Sequence, residues 1–377
     1  MKNVLNILVV AVMLCMCGSC ARQQSAAIED FSLTSYTPSH ASGFEIREDS
    51  DGNRLICVTR PWQGVDVPMQ TLAILDKGEA TSFDGQYIVG AAQRVVCMSS
   101  SHVAMLDAID RAEYIVGVSG KQYIMNSTIA SSPEVKDVGY DSSLNYELLV
   151  MLKPDIVLLY GVSAEDSVVT SKLRELKIPY LYLGDYTEQS PLGKAEWLVL
   201  MAEIVGCREH GEEVFRGIVE RYNDIRNNIT FAKRRQKVML NAPYQDVWYM
   251  PSDDSYMVRL IEDAGAEYIY KGRNLTGGST GISLEEAYML VSESDIWLNV
   301  GQCQTLDELA DIAPHFMATD VVLDGCVYNN DKRRTPAGGS DFWESAIVHP
   351  DVVLNDLVGI FSGNDDELYY HRRLIGE

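Results

Sequence analysis

Ser190-Pro191-Leu192-Gly193-Lys194-Ala195-Glu196-Trp197-Leu198-Val199-Leu200-Met201-Ala202-Glu203-Ile204-Val205-Gly206 is the stretch on which the fold turns. Ser190 is a helix cap, Pro191 a first-turn residue, and the apolar run from Leu192 to Val205 reads as helix until Gly206 breaks it. A second helix follows from Glu209. Val214, Ile218, Tyr222, Ile225 and Ile229 recur at steps of three or four among Glu, Arg and Asn, one buried stripe on a wetted rod. At about 1.5 Å per residue its roughly 20 residues span about 30 Å, enough to join two globular lobes.

On either side of this helical stretch the same order of elements is written twice. Before it, a strand from Arg94 to Met98 leads through Ser99-Ser100-Ser101 into a helix ending at Ala112-Glu113-Tyr114-Ile115. After it, a strand from Lys237 to Asn241 leads through an aromatic loop into a helix ending at Ala266-Glu267-Tyr268-Ile269. Each half then has a short helix with an early glutamate running into an apolar strand that opens with Asp-Ile, at Asp155-Ile156 and Asp295-Ile296. The fold class is therefore α/β, two lobes with parallel central sheets joined by a long rigid helical spine. Lobes are expected at 93–189 and 233–350, the spine at 190–232, and a last helix with a tail packing near the spine at 351–377.

The 377 residues carry a formal charge of -23, which repels nucleic acid and anionic lipid and favours small ligands or basic protein surfaces. Lys2, the apolar run from Val4 to Met16, and Cys17-Gly18-Ser19-Cys20 read as an export signal over 1–19, too short for a retained span. The small residues before Cys20 resemble the lipobox of bacterial lipoproteins, which implies acylation at Cys20. Residues 20–92 read as a polar tether followed by a small β-rich extension, with a hairpin around Asp49-Ser50-Asp51-Gly52-Asn53. The cysteines of the body match no metal or haem spacing and read as small buried hydrophobes.

The most specific segment is Asn145-Tyr146-Glu147-Leu148-Leu149-Val150-Met151-Leu152-Lys153-Pro154-Asp155-Ile156-Val157. Together with the doubled architecture it resembles the substrate-binding proteins of ABC importers for iron chelates and vitamin B12, the helical-spine class of ferric-siderophore and cobalamin binders. The likeness covers about residues 93–360. It implies a periplasmic, membrane-anchored lipoprotein that captures a siderophore, a haem-like chelate or a corrinoid between its lobes. It also implies a permease dimer as partner, whose arginine pockets receive one exposed glutamate per lobe, by position Glu147 and Glu285.

In open α/β sheets ligands sit beyond the carboxyl ends of the strands, so the loops there hold the candidates. These are His102 after the three serines, the aromatics Tyr123, Tyr140, Tyr160, Tyr186, Tyr244, Trp248, Tyr249 and Tyr256, the cation Arg259, and Trp343. Tyr and Trp suit a large, flat, partly apolar ligand. Six histidines without a close pair make a bare metal site a poor reading, since such ions need three or four convergent ligands. No serine elbow, phosphate-binding glycine loop or metalloprotease motif occurs, and no cofactor is expected. Two rival readings are a lipoprotein enzyme acting on a metal chelate through His102 and a carbohydrate-binding surface module.

Overall fold

The computed structural model describes residues 25–62, 70–76, 82–161, 167–229, 234–273 and 278–376; the export signal and Cys20 lie outside the described residues. A five-stranded sheet comes first, made of Leu33–Tyr36 (β1), Phe44–Glu48 (β2), Arg54–Val58 (β3), Gln70–Leu75 (β4) and Gln86–Val89 (β5). It is antiparallel until its last pair, which is parallel. β2 and β3 form a hairpin. The Asp49 carboxylate accepts the N–H groups of Asp51 and Asn53 at 2.9 Å each, and Gly52 takes the left-handed turn position at φ +85°.

The first lobe holds Val95–Cys97 (β6), Ile115–Val118 (β7), Lys136–Asp137 (β8), Ile156–Tyr160 (β9) and Tyr180–Leu183 (β10), in the order β8-β7-β6-β9-β10 and parallel throughout. Its helices include Ser100–Ala108 (α1), Tyr146–Leu152 (α2) and Ser167–Glu175 (α3). Two helices then form the spine, Pro191–Ile204 (α4) and Arg208–Asn227 (α5). They pack side by side as a hairpin, and Gly206 turns the chain between them at φ +76°. α4 is buried almost all round, meeting α1 of the first lobe and helices of the second, while α5 buries the stripe Gly211, Phe215, Ile218 and Tyr222. A β-carbon at Gly211 would overlap Ala202, so the glycine sets how closely the two helices approach.

The second lobe contains Lys237–Leu240 (β11), Trp248–Pro251 (β12), Glu267–Tyr268 (β13), Ser279–Ile282 (β14), Ile296–Leu298 (β15), Val327–Asn329 (β16) and Arg372–Arg373 (β17). β12 and β14 make a separate antiparallel ribbon. The others form a sheet in the order β13-β11-β15-β16-β17, parallel except for the last strand. Four strands of this order repeat the first lobe's β7-β6-β9-β10. The Asp-Ile repeat has the same physical task in both copies. Asp155 accepts the N–H of Arg94 at 2.9 Å and Asp295 that of Lys237 at 2.8 Å, while each aspartate's own N–H returns to that partner's carbonyl.

The second lobe's helices include Tyr256–Asp263 (α6), Leu284–Glu293 (α7), Asp341–Glu344 (α8) and Pro350–Ser362 (α9). α9 packs on α5 and α6. The tail was expected near the spine, but it supplies edge strand β17 of the second lobe instead, with Tyr370 and His371 buried. Asp356 explains this: its carboxylate accepts the N–H groups of Tyr369, Tyr370 and His371 at 2.7, 2.7 and 2.9 Å, turning the chain back to the sheet.

Three buried carboxylates weld the extension to the spine. Glu196 accepts from the Tyr36 hydroxyl (2.8 Å), the Ser39 N–H and hydroxyl (2.8 and 3.0 Å) and the N–H groups of His40 and Ala41 (2.7 Å each). Glu188 takes the N–H groups of Ser42 and Gly43 and the Trp197 indole N–H, and Glu203 pairs with Arg54 and Arg208. Gln86 and Gln70 also accept the N–H groups of Tyr180 and Tyr182, covering the edge of the first lobe's sheet. All five described cysteines are free.

Candidate functional site

A cavity of about 420 Å³ opens between the lobes. The first lobe lines it with Ser99, Ser100, Ser101, Tyr160, Asp185 and Tyr186, and the spine with Pro191 and Lys194. The second lobe contributes Tyr256 and Leu260 of α6, then Phe342, Trp343, Ala346, Ile347, Pro350 and Val353. In the first lobe this is the expected place. β6 and β9 are the strands between which the connections change direction, and Ser99 and Tyr160 stand at or just past their carboxyl ends. The Ser99 hydroxyl caps α1, accepting the Ser101 N–H at 3.3 Å. In the second lobe the wall comes from α6 and from 342–353, not from the loops that follow β11 and β15.

Four of the sequence candidates, Tyr160, Tyr186, Tyr256 and Trp343, share this cavity. His102 does not. Its ring points into the core at 0 % exposure, and burial pushes its pKa down to about 3 against a weak opposing pull from the Leu158 carbonyl, so it is a neutral packing residue. Trp248 is also a core residue, its ring tilted against those of Trp297 and Phe316 with centroids 5.4 and 5.2 Å away, and it donates its indole N–H to the Leu240 carbonyl. Tyr244 and Tyr249 are exposed outside the cavity lining, and Arg259 lies on the outer face of α6. Tyr123 and Tyr140 hydrogen-bond to each other beside Gly120, near the lip where the lobes meet.

At that lip Glu344 of α8 reaches across and accepts the backbone N–H groups of Met125 and Asn126 at 2.7 Å each. Burial raises the Glu344 pKa to about 7; the two N–H groups oppose that shift, and the charges of Asp341 and Asp107 reinforce it. Gly339 lies so close to the Tyr123 carbonyl that a β-carbon there would collide with it.

Sequence reasoning missed Lys194, Asp185 and Phe342. The Lys194 ammonium lies 4.7 Å over the Tyr256 ring and donates to the Asp185 carbonyl at 3.2 Å. Burial lowers its pKa, with Asp185 and Glu188 pulling the other way. Asp185 is itself pushed up to about 6, burial outweighing Lys194. The signal was present, since Lys194, like Glu196, interrupts a mostly apolar helix run. No group of three or more metal-ligating side chains is placed to hold an ion among the described residues.

Glu147 and Glu285 occupy equivalent positions, each the second residue of its helix after a capping Asn145 or Ser283, and both are exposed. The glutamate's own backbone N–H, then the Ser283 hydroxyl, hold the Glu285 carboxyl below its usual range. The neighbouring Glu286 is half-buried and paired with Arg273 at 3.3 Å.

Two repeated α/β lobes on a helical spine, with a walled cavity between them, define a two-lobed solute-binding protein. Residues 95–322 match the model of the periplasmic binding protein family, and the chain belongs to that family of extracytoplasmic binding proteins. An uncharacterised lipoprotein of Methanocaldococcus jannaschii is 25% identical over 71% of this chain and 64% of its own length, so the chain spans just under two thirds of that relative. A periplasmic haem-binding protein of Pseudomonas aeruginosa shares the fold at TM-score 0.55 and 18% identity, covering 75% of this chain and 98% of that one. A periplasmic vitamin B12-binding protein of Vibrio cholerae does so at TM-score 0.52 and 12% identity, over 73% and 99%. No helix among the described residues is long and apolar enough to cross a membrane.

Proposed function

We propose that the chain is the receptor of an ABC importer, anchored by lipid at Cys20, which holds an iron chelate, haem or a corrinoid between its lobes for delivery to the permease. The observation that carries this reading is the interlobe cavity, lined from both lobes and the spine by apolar and aromatic side chains with few polar groups. Such walls favour a flat chelate over a strongly hydrophilic siderophore. A siderophore with several negative charges also needs several cations, but Arg273, Arg333 and Arg334 are paired with Glu286, Asp341 and Asp331.

Glu147 and Glu285 are the docking residues in this reading. Their matching helix positions and exposure support it, and the engagement of Glu286 by Arg273 favours Glu285 over its neighbour. Their role is register and encounter rather than ligand capture. The lipoprotein name of the archaeal relative is consistent with the anchor. Native mass spectrometry of protein purified from its own host tests the reading. A retained metal chelate or corrinoid is the expected result; a bound oligosaccharide, or turnover of an added chelate, overturns it.

A further inference from the structure

Lys194 stands where a lysine is costly for the fold. It sits in the first turn of α4, at the positive end of the helix dipole, which disfavours a cation. It is desolvated there, which disfavours the charge again. Its one hydrogen bond to a protein group among the described residues goes to the Asp185 carbonyl, so two of its three ammonium N–H groups are left for water or a ligand in the cavity, and the remaining contact is the Tyr256 ring face. Among the described residues no carboxylate lies at ion-pair distance, although Asp185 is near. A side chain that breaks several rules at once, without a structural return, points to work done on something absent from the protein alone.

The ammonium faces the interlobe cavity, whose walls beyond it are Leu260, Phe342, Trp343, Ile347 and Pro350. It is the one cation in the lining among the described residues. We infer that Lys194 is the specificity-determining group of the cleft, taking a carboxylate on the edge of a planar, otherwise apolar ligand whose body lies against Phe342 and Trp343. The inference rests on the receptor reading above and narrows its ligand class. One cation suits one inward carboxylate, and excess negative charge would meet Asp185, the one carboxylate in the lining. A neutral ligand that displaced water from the half-buried ammonium would leave its remaining N–H groups without an acceptor.

Haemin and its dimethyl ester test this, because the two differ only in whether the propionates are ionised. The wild-type chain should bind haemin at least about tenfold more tightly than the ester, the size of one charge-assisted hydrogen bond. Lys194→Met should erase that preference while keeping ester affinity, and Lys194→Arg should retain most of it. The melting temperature of Lys194→Met should equal or exceed that of the wild type, whereas a lysine kept for structural reasons would lower it on removal. Equal affinity for acid and ester in the wild type, or a preference that survives Lys194→Met, overturns the inference. Binding of dicyanocobinamide but neither porphyrin also overturns it while leaving the receptor reading intact. Failure to bind any of the three overturns the inference, and the receptor reading then stands or falls with whether native mass spectrometry finds another metal chelate.

Discussion

The Glu344 carboxylate of the second lobe accepts the backbone N–H of Asn126 in the first at 2.7 Å. With the matching bond to Met125 it ties the lip of the cleft from one lobe to the other. Truncating it leaves two donors without their acceptor and loosens the closed arrangement. Glu344→Ala should raise hydrogen exchange at Met125 and Asn126 well above that in the rest of the first lobe. Exchange unchanged at those two amides would show that the lip is held by other contacts.

The same carboxylate sets a pH dependence. Its pKa rises from 4.5 unfolded to about 7 folded, so the folded chain binds the proton more tightly. The contribution to stability is then greatest below the unfolded value and declines as pH rises through the window from about 4.5 to about 7. Gln lacks this proton. The melting temperature of Glu344→Gln relative to wild type should increase from pH 5 to pH 8, as thermal scans at matched ionic strength would reveal.

His102 acts in the opposite direction. Burial holds its pKa at about 3 against 6.5 in the unfolded chain, so the unfolded state takes up the proton first as the solution is acidified. Stability from this residue is complete above the unfolded value and is lost as pH falls from there. His102→Leu should lose less melting temperature than the wild type between pH 7.5 and pH 5. Ligand affinity at neutral pH should change little, since the ring does not line the cleft.

Removing the Glu196 side chain strips acceptors from five donors in the 36–41 segment. Glu196→Ala should destabilise the chain by about 3 kcal/mol or more, several buried donors losing their partner together. Glu196→Gln, which keeps two polar atoms, should cost less. Denaturant titration separates the two, and a loss below about 1 kcal/mol for the alanine variant would contradict the weld.

For the proposed docking role of Glu147 and Glu285, the double change Glu147→Ala with Glu285→Ala should abolish ligand uptake through the permease while the affinity for free ligand stays within about twofold, since neither residue lines the cavity. Glu286→Ala should be milder, because Arg273 already occupies that carboxylate. Transport into proteoliposomes beside a binding titration distinguishes the cases.

The doubled architecture was legible because strands buried on both faces must be apolar and because Asp155 and Asp295 perform one hydrogen-bonding task in two places. Asn145 and Ser283 were equally readable as caps. The cleft was half legible. Its first-lobe wall follows from the rule that ligands sit at strand ends, which located Ser99 and Tyr160. The second-lobe wall did not, because β12 and β14 divert the aromatic loop into a separate ribbon and Trp248 turns inward onto Trp297 and Phe316. His102 failed for a similar reason. One position along α1 separates the cavity-lining Ser101 from the fully buried ring, and the helix phase there cannot be set from an apolar stripe when nearly every residue is apolar or small. Lys194 was overlooked because, as one of three charges in a mostly apolar helix beside Glu196 and Glu203, it reads as an end-of-turn accident until its surroundings are known.

The extension, the first lobe and α4 are fastened together by Glu188, Glu196, Glu203 and the β4 and β5 glutamines that accept from β10, whereas among the described residues Glu344 is the buried carboxylate that reaches from the second lobe to this block. The two halves are thus unequally braced despite their shared order of elements. The better-braced half should act as the anvil and the other as the jaw, so the cargo should be let go from the Trp343 side first.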